Sequence, residues 1–247
     1  MTRAGASGPR ASARDVAYQA IRNSIITGVD EPGALLSENE RALSLGLSRT
    51  PVREALLLLA HEGLVEVRPQ SGTYVSAIDP SLVRQAQFIR EAVETASLAQ
   101  CAANFTAEHE KELRRILDAQ DRCTGNREDF YPLDEEFHRT LLDIAGHGTA
   151  WLTVSGAKAH LDRVRYIGLQ GHRPIHEFAA DHRRVFEMLV AGELAQAQRE
   201  LRTHLRYVLA DLEAIQLELP EHFFTGEAPS ARRVARPPRR NKTTSRG

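Results

Sequence analysis

The chain has 247 residues, 42% of them hydrophobic and 26% charged, with a formal net charge of −1. This is ordinary globular composition; no apolar run approaches the roughly 18–20 residues that span a bilayer, and the N-terminal "MTRAGASGPRASAR" has arginines without the apolar stretch of a secretory signal. The only cysteines, Cys101 and Cys123, lie in helical patterns and read as buried free thiols of a reducing cytoplasm rather than a disulfide.

The net charge conceals an asymmetry: +3 over residues 1–14, −3 over 15–78, −8 over 79–227 and +7 over 228–247. Residues 1–14 read as a flexible tail. Val16, Ala20, Ile21 and Ile25 recur at helical spacing over 15–29, with Gly28 as the stop. "DEPGALL" reads as a turn. Ser37, with Glu40 three residues on, opens a short second helix that ends at Gly46. Ser48 caps a third, with Pro51 in its first turn and Gly63 at its end. Alternation on both sides of "PQSG" predicts a β-hairpin. Three helices and a hairpin, with the short turn "LGLS" between the second and third helices, make residues 15–78 a winged helix-turn-helix.

In such a module the third helix enters the major groove. Arg49 and Arg53 project from one face of its first turn, while Leu56, Leu59 and Ala60 face the core. Arginine is the commonest reader of guanine, its planar fork matching O6 and N7, and Thr50 can reach a phosphate or a thymine methyl. The alternative from spacing alone is a pair of surface arginines bound to Glu54 or to aspartates. Because residues 15–78 are net acidic, positive charge for DNA has to be local, at this helix, at Arg68 near the wing and in the tails.

From "DPSL" to about residue 218 the pattern is helical, with expected helices at 81–104, 107–123, 127–145, 149–169, 175–191 and 193–216, an all-α bundle of six or seven helices. In "LDEEFHRTL", Asp134 and His138 share one helical face; His182 and His204 follow on two later helices. One carboxylate and three imidazoles suit a divalent transition metal, Zn first, with Ni, Mn or Fe as alternatives. With ten histidines in the chain, spacing alone leaves chance as an explanation. No further acid is patterned beside this set as a general base, which speaks against an enzyme. The last stretch, "APSARRVARPPRRNKTTSRG", has no acid and three prolines, so residues 219–247 read as a basic disordered tail.

"LLSENERALSLGLSRTPVREALLLLAHEGLVEVRPQSGTYV" closely resembles the N-terminal signature of GntR-family bacterial transcription regulators. The resemblance implies that Arg49 and Arg53 contact bases, that Ser48 and Thr50 hold phosphates, and that Gly72 lets the wing tip approach the minor groove. Two positions depart from it: Asn39 stands where many members have arginine, and Arg41 replaces a leucine. Residues 79–218 resemble the FCD ligand-binding domain of the FadR subfamily, whose Asp-x-x-x-His pair and two later histidines match Asp134, His138, His182 and His204. This implies a bound metal and an effector that is a small organic or sugar acid, whose carboxylate completes the metal shell. Arg90 matches a pocket-lining arginine, and Arg163 or Arg165 is the next candidate, a guanidinium suiting a carboxylate bidentately. The expected whole is a cytoplasmic homodimer, a repressor that binds a pseudo-palindromic double-stranded operator, with no membrane partner. Domain motion would pass through "SAIDPSL". The alternatives are a regulator for which the ion itself is the signal and a metalloenzyme with a DNA-targeting domain.

Overall fold

The computed structural model describes residues 12–123, 125–169 and 173–224. It is mainly α, with a small N-terminal sheet and a helical C-terminal domain. Helix α1 (Ala13–Ile26) starts earlier than its apolar pattern suggests, because Ser12 and Asp15 form a reciprocal capping box. Residues 12–14 are therefore structured, while residues 1–11 lie outside the described part. The buried stripe of α1 is Ala17, Ile21 and Ile25, and Val16 faces out. A strand β1 (Leu35–Leu36) follows, then α2 (Glu38–Leu45) and α3 (Arg49–His61). Ser37 Oγ accepts from the Glu40 N–H at 3.3 Å, and Gly46 closes α2 in the left-handed conformation. The hairpin β2 (Val65–Arg68) and β3 (Gly72–Val75) is antiparallel, with Arg68 opposite Gly72.

Sequence alone makes "DEPGALL" a turn, yet Leu35 and Leu36 pair with Tyr74 and Thr73 to give a three-stranded sheet of order β1-β3-β2. Two residues carry no periodicity, so only the open edge of β3 makes them a strand. Arg41, the departure from leucine, pairs with Asp30 and ties α2 to the loop before β1.

Helices α4 (Pro80–Ala103), α5 (Ala107–Asp121), α6 (Arg127–Ile144), α7 (Ala150–Ala157), α8 (Ala159–Gly168), α9 (Ile175–Val190) and α10 (Leu194–Glu218) form the second domain. The single helix expected over 149–169 is two, because the chain leaves helical geometry at Lys158 (ψ 11°). That residue turns its ammonium inward to Glu135 and Asp162. The apolar pattern survives the break since the Asp162 N–H still bonds the Lys158 carbonyl at 2.7 Å, which is why periodicity does not reveal it.

Core residues explain how the domains are held. Val52, Ala55, Leu56 and Leu59 of α3 pack on α1, and Ala159 and Tyr166 of α8 belong to the same cluster. Leu161 and Val164, on other faces of α8, pack instead with Val83, Val208 and Leu212 of the bundle. Helix α8 thus contributes to both cores. The chain's end also returns to the junction: Phe223 is buried, the Ile78 N–H donates to the His222 carbonyl (2.8 Å), and the Phe224 N–H donates to the Ile78 carbonyl (2.9 Å). Residues 219–224 are accordingly packed rather than part of a tail, because Phe223 supplies apolar area to the junction core; residues 225–247 lie outside the described part. Cys101 is buried, Cys123 half-buried, and both are free thiols.

Candidate functional site

The first turn of α3 is presented outward. Ser48, Arg49, Thr50 and Arg53 are exposed, and Ser48 makes no side-chain cap to its own helix, so its hydroxyl is available. The arginines pair not with Glu54 but with Glu38 of α2: Arg53 Nε and Nη2 lie 3.1 and 3.2 Å from its oxygens and Arg49 Nη2 lies 3.3 Å away. Arg53, then Arg49, holds the Glu38 carboxyl below its ordinary range. One carboxylate therefore aims both guanidinium forks. Gly72 has a local reason as well: at φ +131° any side chain is strained, and a Cβ there would come within 2.7 Å of Leu35 Cδ1.

In the bundle, Asp134 and His138 of α6, His182 of α9 and His204 of α10 are all buried, and one ligand atom from each lies within 4.8 Å of the other three. The orientation of each imidazole is set by its other nitrogen. His138 Nδ1 lies 2.7 Å from Glu94 Oε2, His182 Nδ1 2.9 Å from Gln120 Oε1, and His204 Nδ1 3.2 Å from Asp181 Oδ2. Gln120 donates its amide to the Leu133 carbonyl, which leaves only its oxygen for His182. With an acceptor at every Nδ1, the neutral rings carry their protons there and turn Nε2 lone pairs inward. His182 Nε2 and His204 Nε2 are 3.0 Å apart, and His138 Nε2 is buried with no hydrogen-bond partner. Facing lone pairs at that distance repel, and a cation between them removes the repulsion. The donor set fits a divalent metal.

Electrostatics agree. Burial, then the neighbouring imidazoles, pushes His182 well below the usual histidine range, and burial takes His204 to about 4, so both are neutral ligands near pH 7. Burial alone would raise the Asp134 carboxyl, but Arg165 and then His138 hold it down. Phe137 stacks on His182 with ring centroids 4.3 Å apart, fixing its plane.

A narrow cavity opens beside Asp134 and His204. Of the three arginines expected at the effector, Arg90 and Arg165 line it and Arg163 does not. Arg90 gives Nε to Glu94 at 2.6 Å, while its buried Nη2 has no hydrogen-bond partner. Arg165 is committed to Asp134 and, at 2.6 Å, to Glu135. Arg163 is corrected to a structural position at the domain junction: it is buried and donates Nη1 to the Ser76 carbonyl at 2.7 Å. Residues two apart on a helix do not share a face, so Arg163 and Arg165 could not both reach the cavity. Tyr131, which spacing does not single out, adds a buried hydroxyl without a partner to the cavity wall.

From Asp134 a series of ion pairs runs to the DNA-reading domain. Arg165 meets Glu135, Glu135 meets Lys158, and Lys158 Nζ lies 2.7 Å from Asp162. Asp162 is 2.6 Å from Arg22 of α1, and Arg22 Nε lies 3.7 Å from Glu62, the residue that ends α3.

Residues 13–75 match the family model "Bacterial regulatory proteins, gntR family", and residues 86–207 match that of the FCD domain. The chain belongs to the GntR family. It is 46% identical to an HTH-type transcriptional regulator in an unstable DNA locus of Streptomyces ambofaciens, over 89% of this chain and 92% of that one. It is 33% identical to the HTH-type transcriptional repressor RspR of Escherichia coli, over 83% and 91%. The solved structure of E. coli McbR/YncC superposes with a TM-score of 0.73 at 20% identity, over 83% of this chain and 98% of that one, and so shares the fold. This GntR-family protein is a DNA-binding transcription regulator, and neither its family nor these relatives are enzymes. Among its described residues no helix is long and apolar enough to cross a membrane.

Proposed function

We propose that this regulator is a cytoplasmic homodimeric repressor that senses a small organic or sugar acid at a metal held by Asp134, His138, His182 and His204. The observation that carries the reading is the set of three imidazoles whose Nδ1 atoms are all occupied while their Nε2 atoms converge with the Asp134 carboxylate. A resident ion, Zn first and Ni, Mn or Fe otherwise, supplies a positive centre for an incoming carboxylate. Four protein ligands complete a tetrahedron, so the acid binds by raising the coordination to five or six, which these metals accept. Arg90 Nη2 and the Tyr131 hydroxyl are the buried donors placed to take the remaining carboxylate lone pairs. The cavity is narrow, so entry parts its lining. Movement of Arg165 would then alter its hold on Asp134 and Glu135, and through Asp162 and Arg22 the seat of α1 and α3.

At the DNA, Arg49 and Arg53 read guanines, Ser48 and Thr50 hold phosphates, Gly72 shapes the wing, and two subunits meet a pseudo-palindrome. The repressor RspR is a precedent for the direction of control. The test is a gel shift on the DNA upstream of the gene, with metal-loaded protein and a panel of organic and sugar acids. One acid is expected to weaken the complex, and failure of every acid to change it would contradict acid sensing. A second reading, in which the ion is the signal, draws on the complete four-ligand set; abolition of DNA binding by a chelator, with no effect of acids, would favour it.

A further inference from the structure

The effector cavity has two chemically different ends. Near the metal it offers a cationic centre and the donors of Arg90 and Tyr131; at the other end stands Asp211. His204, Tyr207, Val208 and Asp211 all line it, the stripe that one face of α10 presents. His204 and Asp211 are two turns apart, about 10 Å along the axis. Subtracting a metal–oxygen bond of about 2 Å and a hydrogen bond of about 2.8 Å leaves roughly 5–6 Å between the terminal heteroatoms of a ligand that touches both. That is the span of a four- or five-carbon chain.

A second feature fixes Asp211 in place. A Cβ on Gly168, at the end of α8, would lie 2.7 Å from Asp211 Oδ2, so the carboxylate occupies the space that glycine leaves open. A carboxylate has about four acceptor sites, so it retains capacity toward the cavity alongside its contacts in the fold. What it cannot do is face a second anion at hydrogen-bond distance without a cost.

We infer that Asp211 selects effectors carrying a hydrogen-bond donor, hydroxyl or ammonium, at the end remote from the metal-bound carboxylate, and rejects dicarboxylates. This rests on the reading of the cavity as an acid site, and it narrows the ligand class to hydroxy or amino acids of short chain. Gly168 is the positioning residue that makes room for the selecting carboxylate.

The experiment is calorimetric titration of the full-length, Zn²⁺-loaded protein with length-matched five-carbon acids: glutarate, 5-aminopentanoate and D-arabinonate. At least one donor-bearing acid is expected to bind about tenfold or more tighter than glutarate, arabinonate reporting hydroxyl recognition and aminopentanoate ammonium. In Asp211→Asn the preference should fall to about threefold or less, as glutarate gains and the donor acid loses. Gly168→Ala, which displaces the carboxylate without removing it, should weaken the donor acid and leave glutarate within about twofold. Glutarate binding the unaltered protein as tightly as both donor acids, or a preference unchanged in Asp211→Asn, would overturn the role of Asp211 while leaving the acid site standing. If none of the three acids binds, the acid site itself is wrong and the inference falls with it.

Discussion

Glu94 offers a demanding test of the metal centre because it is not itself a ligand. Its carboxylate is buried, takes the His138 Nδ1 proton at 2.7 Å and accepts from Arg90 Nε at 2.6 Å. Burial would raise its pKa, yet Arg90 and then His138 bring it to about 2, so it is an anion at every working pH. Glu94→Gln keeps the shape and removes the charge. The amide has one acceptor oxygen for two donors, so either His138 or Arg90 confronts an NH₂ group. Loss of such an outer partner typically weakens metal binding about 10- to 100-fold, roughly 1.4–2.7 kcal/mol, and a buried donor left unsatisfied costs the fold about 1–3 kcal/mol. Zn²⁺ affinity by competition with a chromogenic chelator, read beside circular dichroism and a urea midpoint, separates the two effects. A folded Glu94→Gln protein with undiminished Zn²⁺ affinity would refute the argument that His138 is a ligand aimed by Glu94.

Other residues give further expectations. Arg53→Gln should cost about 1–3 kcal/mol of specific DNA affinity with little effect on stability, because its pair with Glu38 is exposed; Glu38→Gln, which releases both arginines, should raise binding to random DNA and lower the ratio of specific to random, as measured by fluorescence anisotropy. Leu59→Ala, at a fully buried core position, should lose about 2–5 kcal/mol in urea denaturation. His160, which accepts from the Asp79 N–H at 3.1 Å, is brought to about 4 by burial and then by Arg163. The unfolded chain therefore binds the extra proton first as pH falls, and stability is lost between pH 6.5 and 4. That loss approaches about 3 kcal/mol for this group. His160→Gln, which keeps an acceptor for Asp79, should show a correspondingly shallower decline in urea stability over that window.

How much of this was legible in the sequence follows from how local each feature is. Ser37, Gly46 and Gly63 mark helix ends through bonds made within a few residues, and they stand where the pattern puts them. The metal set was legible as residue types, but what turns it into a centre was not: Glu94, Gln120 and Asp181 reach the histidines from other helices or from across a packed interface. Asp181 adjoins His182 in sequence and serves His204. Strand β1 and the break at Lys158 were hidden for the same reason, since each exists through a partner far along the chain. The choice between Arg163 and Arg165 was partly legible, because two residues so spaced point apart, although only the packing of α8 says which one meets the metal ligands. Glu38 could have been suspected from its place beside the second helix's cap. Its distance of 11 and 15 residues from the arginines made Glu54 the nearer partner on paper.

The central claim is that Asp134, His138, His182 and His204 form a resident metal centre in the effector domain. The most direct test is elemental analysis of purified full-length protein beside His182→Ala, each after removal of loosely bound ions. The account predicts one transition-metal ion per chain in the unaltered protein and almost none in the variant. An unaltered protein that holds no metal and does not take up Zn²⁺, Ni²⁺, Mn²⁺ or Fe²⁺ when offered, or a variant that retains its ion in full, would contradict it.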